Sequence, residues 1–333
     1  VADVSRVDLY QMRLLDRPLT IGICGHVDLS SDLKYSHNVN GLFNDLTLRD
    51  SARTYRPADI GLLVKTRQCT TYVRAQSGDF IVKLDASGNY ETLLKQLTTL
   101  GDSALAQLEE KVIDQKALRR LLPTMKMHVE SKSDNPIVTF LKSSGDISIK
   151  DLLFDVTSSP ESGLNGQGYV HSLTLDDTRL DTITFRITQR PEFLSFGGQV
   201  RNNKKNPQFV FNALFDGVLQ QRGATLGVRY FDKDNKLGAR LGVQAEMVDS
   251  GINLHLVPER PTLGYKEFNL NKDNYILLGR NQKVEAKIDL IADDGTGVKI
   301  YSTDSDPTAL QDVTISLNRF NLAEATSVIP YAP

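Results

Sequence analysis

FVFNALFDGVLQQRGATLGVRYFDKDNKLGARLGVQAEMVDSGINLHL, residues 209–256, decides the fold, because its apolar and polar residues alternate strictly enough to show which face is dry. Phe209, Phe211, Ala213 and Phe215 fall on one side, and Val210, Asn212, Leu214 and Asp216 on the other. Leu226, Val228 and Tyr230 then oppose Thr225, Gly227 and Arg229. Ala239, Leu241, Val243, Ala245 and Met247 oppose Arg240, Gly242, Gln244 and Glu246, and Ile252, Leu254 and Leu256 oppose Asn253 and His255. Side chains on a strand change face at every residue, so the stretch reads as antiparallel strands with one apolar and one wet face. Gln221-Arg222-Gly223, Asp232-Lys233-Asp234-Asn235 and Asp249-Ser250-Gly251 separate the segments. Asn, Asp and Gly tolerate positive φ, so each group reads as a hairpin turn and the whole as a meander.

Working outward, the same period appears on both sides. Upstream, Ile21, Ile23, Val27 and Leu29 alternate, Leu42, Leu46, Leu48, Leu62 and Val64 follow, and Phe80, Val82, Leu84 and Ala86 oppose Ile81, Lys83 and Asp85. From about Tyr90 to Leu122 the period lengthens: Leu93, Leu97, Leu100, Ala104, Leu108 and Val112 recur every three or four residues, as in an amphipathic helix. Such a helix either packs its leucine stripe on the sheet or lies as a lid or plug over a groove. Met125, Met127 and Val129 restore the alternation, and Ile137 to Lys142 spells a further helical turn or two. Ile183, Phe185 and Ile187, then Leu194, Phe196 and Val200, Val284, Ala286, Ile288 and Leu290, and Val313, Ile315 and Leu317 carry it to the end.

The expected fold is therefore mainly β: an elongated, curved antiparallel sheet forming an open groove or a two-layer structure, with a helical insertion around residues 90–122. Residues 1–89 form one meander, 90–145 the insertion with a short strand, and 146–333 the meander that carries the main groove. About fifteen to eighteen strands spaced ~4.8 Å apart make a ladder ~70 to 85 Å long, and open sheets of that size must curl. Closing into a sandwich and bending into a trough are the two ways to hide the apolar face.

Composition narrows the functional classes. Lys and Arg total 39 against 41 Asp and Glu, a net charge of -2 that gives no electrostatic reason to expect nucleic acid. Cys24 and Cys69 are the two cysteines, too few for a disulfide framework; they are either bridged or free, and Cys24 falls on the wetter face of its strand. No apolar run approaches the ~20 residues that span a bilayer. Val1-Ala2-Asp3 has neither initiator Met nor signal peptide, and Ile329 to Pro333 reads as a cut end, so the chain is expected to be an internal fragment.

Catalytic chemistry finds no foothold. His26, His37, His128, His171 and His255 are scattered, without the spacing of a zinc site, and no nucleophile elbow, phosphate loop or dinucleotide fingerprint occurs. Asp232 to Lys236 opens like a calcium loop, but Lys236 and Val243 stand where oxygen ligands are needed, so a hairpin turn accounts for it better. Asp293-Asp294-Gly295-Thr296-Gly297 and Asp304-Ser305-Asp306-Pro307 cluster carboxylates, yet are also ordinary turn formers. The expectation is no enzyme, no catalytic residue, no metal and no cofactor.

Several phrases carry a family likeness: Gly251-Ile252-Asn253-Leu254-His255-Leu256, Pro261-Thr262-Leu263-Gly264-Tyr265, Asn274-Tyr275-Ile276, Asp293 to Gly297, Leu310-Gln311-Asp312-Val313-Thr314 and Pro330-Tyr331. With Gln199-Val200-Arg201-Asn202 and Arg56-Pro57-Ala58-Asp59-Ile60 upstream, the chain resembles the TamB-type translocation and assembly module proteins of the AsmA-like superfamily in Gram-negative bacteria. The resemblance implies a long periplasmic β-taco with an apolar inner groove, an inner-membrane anchor and a contact with outer-membrane assembly machinery, the last two through parts absent here. It implies roles in outer-membrane biogenesis and in intermembrane phospholipid transport, and it transfers no active-site residue.

The in-phase alternation points the same way, to a groove for phospholipid acyl chains lined by Phe209, Phe211, Leu226, Val228, Leu241, Val243, Ile252, Leu254, Ile288 and Leu290. The alternatives are a docking module for assembly of outer-membrane proteins, which adds a strand to an open edge, and a surface glycan-binding β-protein. Absence of Trp, the usual sugar-stacking residue, weighs against the last.

Overall fold

Period-two alternation becomes strand pairing wherever a turn lets the chain double back, and the pairings place the apolar residues side by side. The computed structural model describes residues 2–13, 18–50, 54–110, 112–133, 135–145, 147–279, 283–303 and 312–319. The chain is mainly β, an open, curved antiparallel sheet with short helices inserted. It divides into two compact units, Val1–Ser103 with Lys116–Gln189 and Ala104–Gln115 with Arg190–Pro333.

The strands before the helices are β1 (Ala2–Asp8), β2 (Thr20–Ser31), β3 (His37–Arg49), β4 (Thr54–Tyr55), β5 (Ile60–Arg67), β6 (Thr70–Ser77) and β7 (Phe80–Ser87). Helices α1 (Tyr90–Glu109) and α2 (Gln115–Leu121) follow, then β8 (Met125–Ser131), α3 (Pro136–Gly145), β9 (Ile147–Ser148), β10 (Asp151–Ser159), β11 (Gly163–Leu175) and β12 (Thr178–Gln189). The helices interrupt the sequence but not the ladder, because β8 pairs with β7 on one side and β10 on the other. Directly opposed residues share a face. Stepping from partner to partner, Leu29, Val39, Val64, Val73, Leu84, Met127, Val156, Gly166 and Ile187 form one row across the first unit. Most of this row is only half-buried, whereas the inner face of a closed sandwich is dry.

Asn89 starts α1 by accepting the backbone N–H of Thr92 (2.8 Å), and Thr66 Oγ1 on β5 accepts the N–H of Tyr90 (2.9 Å). Leu93 is buried, while Leu94, Leu97 and Leu105 are exposed, so Leu97 does not join the expected buried stripe. The side chain of Leu108 and all of residue 111 lie outside the described set. Asn135 starts α3 in the same way, accepting the N–H of Val138 at 3.0 Å. Its amide donates to Asp79 Oδ1 (2.7 Å) and Ser131 Oγ (2.9 Å), which satisfies a fully buried side chain.

The second unit holds β13 (Phe193–Asn202), β14 (Phe211–Gln220), β15 (Gly223–Phe231), β16 (Leu237–Val248), β17 (Gly251–Leu263), β18 (Lys266–Glu267), β19 (Asn269–Leu270), β20 (Tyr275–Gly279), β21 (Val284–Ile291), β22 (Gly297–Ser302) and β23 (Val313–Asn318). Its ladder runs from β13 to β17 in chain order and continues through β20, β21, β22 and β23. Strand β18 folds back on the end of β17, and β19 pairs with the end of β21. Among the described residues β13 and β23 do not pair with each other, so this ladder does not close into a barrel.

Two glycines shape the apolar faces. Gly168 lies opposite Phe185 and Gly217 opposite Phe196. A Cβ on Gly217 would stand 2.3 Å from Phe196 Cζ, and one on Gly168 would stand 2.6 Å from Phe185 Cε1. The missing side chains therefore let phenyl rings lie across the neighbouring strand. Gly217→Val is expected to displace the Phe196 ring and destabilise the second unit by about 1–3 kcal/mol, read as a lower urea midpoint. Gly101→Ala, on α1 with nothing within 4 Å of the added carbon, is expected to stabilise instead, by about 0.5–1 kcal/mol.

Candidate functional site

The register of the second unit turns scattered apolar residues into a continuous surface. One row runs Leu194, Leu219, Ala224, Ala245, Leu254, Ile276 and Ala286, from β13 to β21. The next runs Phe196, Gly217, Leu226, Val243 and Leu256, and a third Gly198, Phe215, Val228 and Leu241. Between these rows, on the opposite side of the sheet, stand Gln199, Arg229, Arg240, Gln244, Glu246, Asn253, Lys287 and Asp289.

Of the residues expected to line a groove, Phe211, Leu226, Val228, Leu241, Val243, Ile252, Leu254, Ile288 and Leu290 all fall on this apolar face, but not in one environment. Leu226 and Val228 are 46% and 42% exposed, and Leu241, Val243, Ile252 and Leu254 are half-buried. Phe211 is buried, its ring stacked 5.9 Å from that of Tyr230. Ile288 and Leu290 are only 4% and 6% exposed, because Phe268, Leu270 and Ala292 pack over them, with Leu256, Leu263, Ile276 and Ile300 around the cluster. Protein thus covers the face at β21, while over β15 and β16 it meets solvent. Phe209 departs from expectation: it precedes β14 and is exposed. Asn206 explains this, since its Oδ1 accepts the N–H of Gln208 (2.9 Å) and of Phe209 (3.2 Å), holding both in a turn.

The Asp232 turn closes one end of the β15–β16 hairpin. Asp232 Oδ1 accepts the N–H of Asp234 and of Lys236, each at 2.9 Å, and Asn235 takes a positive φ of 62°. This is the hairpin turn, with the carboxylate occupied by backbone. Burial raises the Tyr265 phenol from its ordinary 10.0 to about 12, and the negative charge of Asp232 adds to the shift. Tyr230 moves up for the same two reasons in the same order. Asp294 Oδ2 accepts from Lys266 Nζ (2.9 Å) and its Oδ1 from the N–H of Thr296 (3.0 Å), which hold its carboxyl well below the usual range. The Asp304 to Pro307 cluster lies outside the described residues.

Register also makes pairs on the wet face that linear spacing hides. His128 Nδ1 stands 2.7 Å from Asp155 Oδ1, and His171 Nδ1 3.3 Å from Asp151 Oδ2, each across a strand pair. The His171 ring stacks on Tyr169 with centroids 4.3 Å apart. Each is a side-chain contact between neighbouring strands. His255 is a structural histidine: Asn274 O can only accept, so the proton sits on Nδ1, and Nε2 accepts from Asn253 Nδ2 at 3.0 Å. Cys24 and Cys69 are free thiols. No group of three or more His, Cys, Asp or Glu side chains suited to a metal ion occurs among the described residues.

What the strand register assembles in the second unit is a surface. It has an apolar strip continuous in register, unfilled by protein at one end, and a charged reverse side. Phe268 and Leu270, which fill the other end, were not among the residues the sequence singled out. Compared with protein-family models, curated proteins and solved structures, the chain has no significant match.

Proposed function

We propose that the apolar face over β14–β17 receives phospholipid acyl chains, and that the chain is a stretch of a conduit moving phospholipid between the inner and outer membranes. The observation that carries this reading is the set of neighbouring in-register apolar rows, in which Leu226 and Val228 are left 46% and 42% exposed. An exposed apolar strip of this continuity is costly in water unless something covers it. An acyl chain covers it without requiring a deep pocket, and the charged reverse side keeps the sheet in water. Each buried methylene contributes ~0.8 kcal/mol, so a dozen amount to on the order of 10 kcal/mol that an aqueous crossing would otherwise cost.

No catalytic step is needed; continuity of the strip does the transport. A periplasmic setting, an inner-membrane anchor elsewhere in the protein and a link to outer-membrane assembly are proposed on the resemblance of the phrases around residues 251–265 and 293–297. No helix among the described residues is long and apolar enough to cross a membrane.

Native mass spectrometry of the delipidated protein, mixed with phosphatidylethanolamine and phosphatidylglycerol vesicles, tests the reading. Phospholipid-mass adducts are expected. Their absence at saturating lipid would overturn the proposal.

A further inference from the structure

The reverse side of the same hairpin carries a second feature. On β15 and β16 Gly227 lies directly opposite Gly242, so two adjacent positions have no side chain and the backbone is bare. The next pair on that face is Arg229 opposite Arg240. A cavity of about 680 Å³ opens here, lined by the two glycines, by Arg229 and Arg240, by Phe231, Leu237, Val257 and Pro258, and also by Leu226, Val228 and Leu241 of the neighbouring positions.

Like charges directly opposite one another destabilise a sheet. Asp216 on β14 partly offsets this pair, since its Oδ1 is 3.5 Å from Arg229 Nη2. Arg240 has no carboxylate partner among the described residues. Two guanidinium groups against one carboxylate leave one positive charge beside a slot with apolar walls. Guanidinium forks match oxyanions in bidentate geometry.

We propose that this slot binds an oxyanion carried on a compact apolar body, its phosphate or carboxylate between Arg229 and Arg240 and its body against the two glycines. The arginines and glycines of the site stand on the opposite face of β15 and β16 from the acyl-chain strip, although Leu226, Val228 and Leu241 of that strip also border the cavity.

The two glycines give an internal control. A Cβ on Gly242 would stand 2.8 Å from Leu226 O and 3.0 Å from Val257 Cγ2, so that position is locked by packing. A Cβ on Gly227 would meet nothing closer than Asp216 Oδ2 at 3.6 Å, so a side chain there fills the slot without a clash. The probe is 1-naphthyl phosphate, followed by calorimetry, with 1-naphthalenemethanol as the neutral analogue and inorganic phosphate as the bare anion. Binding of 1-naphthyl phosphate is expected to exceed that of both controls and to fall about tenfold or more in Gly227→Leu and in Arg240→Gln. Val243→Asp, on the acyl-chain face and outside the cavity lining, should leave it unchanged, so failure here and failure of the lipid reading are distinguishable. Competition by phosphatidylglycerol vesicles would identify the anion as a lipid headgroup, and lack of competition would identify it as a soluble organic phosphate. Both outcomes support the site. No binding of 1-naphthyl phosphate, or binding indifferent to Arg240→Gln, would overturn it. Arg240 is exposed, so that variant keeps the test valid should Gly227→Leu fail to fold.

Discussion

Leu226→Asp is expected to remove phospholipid adducts from the protein while leaving the protein folded. Leu226 sits between Gly217 and Val243 in the row that continues to Leu256, so a charge there breaks the apolar strip in its solvent-exposed part. An acyl chain crossing that point must either bury a carboxylate or lift off the sheet. Either cost exceeds about 1.4 kcal/mol, which corresponds to a loss of at least about tenfold in lipid occupancy. The fold loses less, about 1 kcal/mol or below, because nearly half of the Leu226 side chain is already in water. Leu241→Asp and Val243→Asp act on the same face and should behave alike. Gln244→Asp alters an exposed residue on the opposite face and should leave occupancy unchanged. Equal losses from Val243→Asp and Gln244→Asp would mean that the lipid does not follow the apolar face.

Phe268→Ala is expected to have the largest effect on stability, about 3–5 kcal/mol. Phe268 is 3% exposed and packs with Leu270, Ile288, Leu290 and Ala292 in a buried apolar cluster of the second unit. Truncating the ring leaves a cavity that short strand β19 cannot collapse around, since its Asn269–Leu270 backbone is fixed on β21. Leu226→Ala, in a wet position, removes little packing and should cost under about 1 kcal/mol. Hydrogen–deuterium exchange over residues 268–292 reads the effect locally, which matters because the two units need not unfold together. Unchanged protection in Phe268→Ala would show that this cluster does not hold the end of the sheet.

The faces were legible in the sequence because strand periodicity is local. Leu226, Val228, Leu241, Val243, Ile252 and Leu254 share one face, and the tight turn from Val248 to Gly251 keeps β16 and β17 in phase as far as the register shift between Arg240 and Gly242. Phe209 was misplaced because Asn206 competes for the backbone donors that a strand would use. The leucine repeat of α1 announced a helix but not its partner, and Leu94, Leu97 and Leu105 remain exposed. The covering of Ile288 and Leu290 was not legible, since β18 and β19 have two residues each and show no period. Cross-strand pairs such as His128 with Asp155, 27 residues apart, exist only once register is known. So too does the opposition of Arg229 and Arg240.

The central claim is that lipid lies on one face of the sheet, and photocrosslinking along β16 tests it most directly. A photoreactive phenylalanine analogue is placed in turn at Leu241, Val243, Gln244, Ala245 and Glu246, with phospholipid vesicles present and adducts read by mass spectrometry. Lipid adducts at 241, 243 and 245 with none at 244 and 246 are the predicted result, and adducts equal on both sets would contradict it.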